Sequence, residues 1–366
     1  MRIKIKIGAG IKTLSSKDIL PKYGYMFAYM TLPESLEKIN KGAVKGCNYL
    51  RAVDIPNGVK EIGELAFAYC TLLESVKLPD GVTSIGSSAF KNCSILEIEL
   101  PKSLQRISSS CFIGCCHLKH TKIKEGVSEI ESKAFMGCEN LQSIEFPQTL
   151  TKLGTRCFYQ CLSLTTINFG ERVSEIKNEA FARCESLRSI EFPPSLKKLE
   201  KECFFSCKSL TTIKFKEGVS EIGYKTFAYC KSLERIEFPR TLTKLGSYCF
   251  YGCRSLKSVH ILEGVKEIEQ STFASCCQLQ DVTLPESLVK LGPCAFESCC
   301  KLESIKIPKH VIKIEEGAFQ SCLCLKNVTM PPKMSGVISF RTFYKCIYIL
   351  FVAEIRLNLA KNSHSD

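Results

Sequence analysis

The sequence predicts a repeat solenoid, with parallel β-sheet on a concave face and short helical turns or irregular structure on the convex face. Three observations carry this expectation. Phenylalanines recur at Phe67, Phe90, Phe112, Phe135, Phe158, Phe181, Phe204, Phe227, Phe250, Phe273, Phe296, Phe319 and Phe343, spaced by 23 residues with one 22 and one 24, and Val44 takes the same place one unit earlier. A Cys stands three residues after each of these 14 positions, from Cys47 and Cys70 to Cys346. In most units a Leu follows three residues later, as at Leu141, Leu164, Leu187 and Leu210, and the unit reads G-V-x-x-I-x-x-x-A-F-x-x-C-x-x-L-x-x-I-x-F-P. Self-similarity at such a period is the signature of stacked repeats.

Each segment has a mechanical reading. Arg2-Ile3-Lys4-Ile5-Lys6-Ile7 alternates with period two and carries Lys on its polar face, as a protected edge strand does. Phe27, Met30 and Leu32 before Pro33 fit a degenerate first strand. In the repeats, Leu187, Ile190 and Phe192 outline a short strand. Proline follows at Pro79, Pro101, Pro147, Pro193, Pro239, Pro285 and Pro308, and it ends ladder pairing because it has no N–H. Asn57-Gly58 and Asp80-Gly81 add turns. The Ala-Phe-x-x-Cys stretch has room for about one helical turn before the next strand. One unit cannot bury its apolar residues alone, so neighbours stack with strands about 4.8 Å apart. At the far end, the apolar run Ile347–Ala353 reads as a buried cap, and Ile355, Leu357 and Leu359 alternate with Arg356 and Asn358. The expected organisation is a basic N-terminal segment and cap (1–32), a solenoid of about 14 units (33–346), and a C-terminal cap and tail (347–366).

The chain has 366 residues, 45% hydrophobic, which is enough to bury a large core. No run of 18 apolar residues crosses a bilayer, and no apolar signal region follows the start. The net charge of +13 is uneven: residues 1–60 hold 11 Lys/Arg against four Asp/Glu, and residues 331–366 hold five against two. The body therefore carries no basic stripe, which argues against nucleic acid.

Adjacent units differ in charge. Glu61, Ser84, Arg106, Glu129, Lys152, Glu175, Lys198, Glu221, Lys244, Glu267 and Lys290 occupy one position and nearly alternate in sign. Lys77, Glu99, Lys122, Glu145, Asn168, Glu191, Lys214, Glu237 and His260 do the same at a strand position. Stacking sets each charge between opposite charges, and a slip of one coil would bring like charges together.

Of the 23 cysteines, the 14 at the repeat position form one internal column. Their side chains point in parallel at strand spacing, whereas a disulfide needs Cβ atoms about 3.8 Å apart with converging vectors, so buried free thiols are expected. Cys111, Cys157, Cys203 and Cys249 precede Phe where other units carry Ala89, Ala134, Ala180, Thr226 or Ala318, a site for small residues. Cys116, Cys277 and Cys300 stand one residue past the column, where other units carry charge, and Cys277 and Cys300 lie in adjacent coils, so a bridge between them is an open alternative. Cys276/Cys277/Cys299/Cys300 and Cys115-Cys116-His117 with His120 resemble metal spacing, but part of each set belongs to the inward column. The expectation is no metal, no cofactor and no catalytic residues: no nucleophile has a base at a recognisable spacing, and no phosphate loop or H-E-x-x-H occurs. The glycosylation patterns Asn92-Cys93-Ser94 and Asn327-Val328-Thr329 use a buried Cys and a strand.

The core Ile62-Gly63…Ala66-Phe67…Cys70, and again Ile222-Gly223…Phe227…Cys230, resembles the 23-residue leucine-rich repeat of the BspA-like type over about residues 33–346. The resemblance implies the leucine-rich repeat fold and a surface adhesin or interaction protein. The motif consists of packing residues and names no site.

The resulting expectation is a non-catalytic protein–protein interaction scaffold; the alternative is a BspA-like cell-surface adhesin that binds host or matrix proteins. The thiols and the missing signal point to the cytoplasm, the alternative being the cell surface by an unrecognised route. A protein partner, rather than a small molecule or nucleic acid, is expected on the strand face at Arg188, Glu191, Lys214, Arg235, Glu237, Lys257 and His260. There the charge ladder is interrupted by His260 and Thr283, and Arg188 and Arg235 replace the small polar residues of the Thr166 and Thr212 class.

Overall fold

In the computed structural model, residues 4–23, 26–331 and 338–347 are described. The expected cap residues 348–359 lie outside the described residues, as do Arg2 and Ile3. The chain is a repeat solenoid of parallel strands with almost no helix; Ser16–Tyr23 is an α-helix among the described residues.

Each coil holds two short strands. In Ser143–Glu145 the central Ile144 is buried and its neighbours are exposed, and in Glu129–Ile130 the Ile alone turns inward. Period-two alternation thus assigns one side chain per strand to the core. Contacts divide the chain into two compact units, Met1–Leu196 and Lys197–Asp366. In the first unit, Lys4–Lys6 pairs with Tyr29–Thr31, which continues to Ala52–Asp54 and Ser75–Lys77; Ile5 and Ile7 are buried and Lys4 and Lys6 exposed. Its second ladder runs Thr13–Leu14, Lys38–Ile39, Glu61–Ile62, Ser84–Ile85, then afresh from Arg106–Ile107 through Glu129–Ile130 and Lys152–Leu153 to Glu175–Ile176. In the second unit the strands Arg235–Glu237, Ser258–His260 and Asp281–Thr283 pair in parallel, and Lys198–Leu199, Glu221–Ile222, Lys244–Leu245, Glu267–Ile268, Lys290–Leu291 and Lys313–Ile314 form the second ladder.

The stretch around each Phe is irregular rather than a helical turn. Left-handed residues recur four apart there, two positions before and two after the Phe, which no helix permits. Leu65 and Tyr69 flank Phe67 at φ 56° and 64°, Arg156 and Gln160 flank Phe158 at 56° and 60°, and Lys225 and Tyr229 flank Phe227 at 52° and 62°. A left-handed non-glycine residue costs roughly 1–2 kcal/mol. The gain is a third hydrogen-bond ladder: Leu65 N donates to Ser87 O (3.0 Å), Phe67 N to Ala89 O (2.8 Å) and Tyr69 N to Lys91 O (2.7 Å). Buried peptide groups left unpaired would cost about 1–3 kcal/mol each, so three satisfied donors outweigh two strained residues. Close approach also requires Gly at corners such as Gly86, where an added Cβ would lie 2.4 Å from Glu64 N.

Inside the ladders the phenylalanines stack. In the first unit Phe67, Phe90, Phe112, Phe135, Phe158 and Phe181 stand with ring centroids 5.2–5.5 Å apart, and in the second unit Phe204 through Phe343 at 5.4–5.6 Å, with near-parallel planes. These are ordinary aromatic pair distances.

The cysteine column has a specific bond. Cys70 Sγ donates to Val44 O (3.1 Å), Cys138 to Phe112 O (3.2 Å), Cys253 to Phe227 O (3.2 Å) and Cys299 to Phe273 O (3.3 Å), each across one coil. The carbonyl of each such Phe, which already accepts an N–H from its own coil, gains a second donor. Burial pushes the thiols up, to about 12 for Cys115 and Cys230, so they stay protonated and keep donating.

The charge alternation is realised across coils. Glu221 is bridged by Lys198 (3.3 Å) and Lys244 (3.1 Å), Lys152 meets Glu129 (2.7 Å), and Lys290 meets Glu267 (2.8 Å). Where the register sets Lys290 beside Lys313, both ammonium groups turn to Glu315. Such exposed pairs are each worth about 0–1 kcal/mol, so their main effect is on register.

Three outcomes are expected. Phe135→Ala should cost about 3–5 kcal/mol in denaturant unfolding, the range for truncating a buried aromatic. A thiol reagent should leave the column unlabelled in native protein and reach it on denaturation, as read by mass spectrometry. Hydrogen bonds from Lys177 and Lys313 hold the Glu175 and Glu315 carboxyls below their usual range; burial opposes the same shift at Glu221, but Lys244 and Lys198 outweigh it. A lowered carboxyl stabilises the fold above its unfolded value of about 4.3 and loses this contribution as pH falls. The melting temperature should therefore drop from pH 5 to pH 3, less steeply in Glu221→Gln and in high salt.

Candidate partner-binding surfaces

On the first ladder, residues flanking each buried Ile or Val project outward. In the second unit this exposes Lys214, Arg235, Glu237 and His260. Glu237 stands in register with His260, and His260 with Thr283, so the alternation does stop there. Lys257 precedes the strand Ser258–His260 and forms an ion pair with Glu234 (2.7 Å), whose carboxyl is lowered by that hydrogen bond and, further, by Arg235. Among the described residues Lys214 and Arg235 form no salt bridge. They line a shallow hollow of about 330 Å³ with Thr212, Ile213, Glu234 and Glu237. In the first unit, Glu191 lies on Ser189–Phe192. Arg188 does not replace Thr166: Thr166 pairs with Ser189, and Arg188 stands one residue before the strand, its N–H bonded to Thr165 O. Thus Arg235 and Arg188 are not equivalent positions.

A second surface, which the sequence reading did not single out, lies on the third-ladder side of the second unit. Phe205, Tyr229 and Tyr251 meet edge to face at 5.5 and 5.3 Å, and Tyr248 joins Tyr251 and Tyr224 at 5.8 Å each. Tyr224 is exposed and the others half-buried. Lys225 Nζ stands 5.0 Å from the Tyr224 ring and 5.6 Å from that of Tyr248, with Lys201 5.6 Å over Tyr224, all within cation–π reach. Burial, then its Tyr251 neighbour, pushes the Tyr229 hydroxyl up. These aromatics occupy several different repeat positions, so no column of the repeat shows them together.

The first unit holds a larger cleft, about 1320 Å³, lined by Ser84, Ser87, Ser103, Arg106 and Ser108 among others. It lies where the second ladder is broken between Ser84–Ile85 and Arg106–Ile107. Hydroxyls span the break: Ser108 Oγ donates to Ile85 O (2.6 Å) and Ser103 Oγ to Val82 O. The spacing of 22 between Phe90 and Phe112 marks this coil, shortened between Cys93 and Ile95.

Neither histidine–cysteine set gathers ligands. Cys116 Sγ contacts His117 Nδ1 at 3.4 Å, whereas His120 Nδ1 bonds Ser143 Oγ at 2.9 Å, and Cys115, Cys276 and Cys299 are committed inward to carbonyls. Among the described residues, no group of three His, Cys, Asp or Glu could hold a metal ion, and no helix is long and apolar enough to cross a membrane.

No curated protein matches the chain. A leucine-rich repeat protein from Bacteroides ovatus is similar in structure, at 27% identity over 84% of this chain and 73% of that one, with a TM-score of 0.55. A leucine-rich repeat protein from Eubacterium ventriosum, at 21% identity over 87% and 90% of the two chains and a TM-score of 0.50, shares the fold. The profile described as "BspA type Leucine rich repeat region (6 copies)" matches residues 23–119, 106–234 and 220–350. With those spans reaching across most of its length, the chain belongs to the BspA-type leucine-rich repeat family.

Proposed function

We propose that the chain is a non-catalytic scaffold that binds a protein partner. The observation that carries this reading is the exposed aromatic cluster of Tyr224, Tyr248, Tyr251, Tyr229 and Phe205 with its lysines. Tyrosine is enriched among residues that dominate interface energies, and a large rigid side chain loses little entropy when it docks. The strand-face set is a second contact surface. Lys214 and Arg235, which form no salt bridge among the described residues, favour acidic groups on whatever docks there. Glu237, Lys257 and His260 belong to this proposed face of the second unit, and Arg188 and Glu191 are proposed as contact residues of the first. We propose 1–32 as a basic N-terminal segment and cap, and 347–366 as a C-terminal cap and tail, of the solenoid 33–346. We place the protein in the cytoplasm, because half-buried Cys116, Cys277, Cys294, Cys300 and Cys324 would persist as thiols in a reducing compartment. Display at a cell surface as an adhesin is the other reading, favoured by membership of the BspA-type family.

The test compares partner capture by the full chain with two double variants, Tyr224→Ser/Tyr251→Ser and Lys214→Glu/Arg235→Glu. Truncating a hot spot costs about 2 kcal/mol or more, so at least one variant should bind roughly 30-fold more weakly with an unchanged melting temperature. Full binding by both, or loss only through unfolding, would sink the reading.

A further inference from the structure

Cys277 and Cys300 occupy the same place in successive coils of the second unit, one residue past the buried column. The third ladder fixes these coils beside each other: Ser275 N donates to Glu297 O (2.7 Å), and the rings of Phe273 and Phe296 lie 5.4 Å apart. Both thiols are partly exposed and share one orientation, Cys277 Sγ toward Ser275 O (3.5 Å) and Cys300 Sγ toward Ser298 O (3.4 Å). Both contacts stay within the cysteine's own coil. Their neighbours Cys276 and Cys299 differ: buried in the core, they hold carbonyls of the preceding coil. A half-exposed side chain is free to rotate about χ1, and a disulfide tolerates Cα separations of about 4.4–6.8 Å, which covers one coil spacing.

We propose that Cys277 and Cys300 form a surface dithiol site for thiophilic ligands, which a small-molecule disulfide converts to a Cys277–Cys300 bridge. In the first step the Cys277 thiolate attacks one sulfur of the small disulfide. That S–S bond breaks, a mixed disulfide forms on Cys277, and one small thiolate leaves. Cys300 then loses its proton and attacks Cys277 Sγ, and the second small thiolate leaves. The two protons released by the cysteines end on the two small thiols, so the protein pair is oxidised and the small disulfide reduced. Burial, then Cys277 beside it, then Cys324, push the Cys300 thiol up. Cys324 lies one position further on in the next coil, its N–H bonded to Cys300 O (3.2 Å), off the shared register.

The experiment treats the native full chain with oxidised glutathione, blocks remaining thiols and maps peptides by mass spectrometry. The expected product is a peptide pair linked through Cys277 and Cys300, with Cys276 and Cys299 unmodified. Cys300→Ser should trap glutathione on Cys277. Phenylarsine oxide, which chelates paired thiols, should protect these two cysteines from labelling in wild type and leave Cys300 unprotected in Cys277→Ser. Both variants alter half-exposed positions, and their melting curves should overlay that of the wild type. Mixed disulfides alone, a Cys300–Cys324 bridge, or equal reaction of the column cysteines would each overturn the proposal.

Discussion

Satisfaction of the backbone from coil to coil is the constraint on which this architecture depends. Each coil meets its neighbour through two strand ladders and a third ladder with left-handed residues two positions before and after each Phe. Because the register is one coil, every side chain stacks on the residue at its own position. The choice at each position is therefore a question of self-compatibility. Phenylalanine satisfies it by ring stacking, cysteine by an S–H donor that reaches back to a carbonyl, and charged residues by changing sign. A leucine at the cysteine position would fill space but offer no donor to that carbonyl.

The repeat was legible because its apolar residues sit at one spacing and the stack turns spacing directly into contact. The pairing of Glu221 with Lys198 and Lys244 was legible for the same reason. The third ladder was not. Its left-handed positions carry Leu65, Tyr69, Lys133, Arg156, Glu179 and Lys225, residues that on their own give no sign of positive φ. Only repetition of the intercoil hydrogen bonds makes that conformation favourable, and a local reading sees room for a helical turn instead. The register of Arg188 was missed for a smaller reason: a strand of four residues leaves little pattern to separate its first residue from the one before it.

The surfaces follow a different logic from the core. Tyr224, Tyr248 and Tyr251 come from different places in their repeats and meet only because successive coils bring the bends together. The serine-lined cleft lies at the coil that is one residue short between Cys93 and Ile95, where the second ladder breaks between Ser84–Ile85 and Arg106–Ile107. Features that distinguish one coil from the next are thus the ones a period conceals, and they are where a particular partner would be recognised.

The third ladder also has a direction. In the first unit Gly42, Val44 and Gly46 donate to the carbonyls of Glu64, Ala66 and Ala68, and the later coils repeat this sense. Beside the strand ladders the sense is opposite, with Lys60 N donating to Glu37 O, Gly63 N to Ile39 O and Glu74 N to Arg51 O. The peptide dipoles of the two sides of a coil therefore oppose one another, and the stack avoids the macrodipole that builds up along an α-helix. Coils of this kind can be repeated without piling up charge at the edge of the stack.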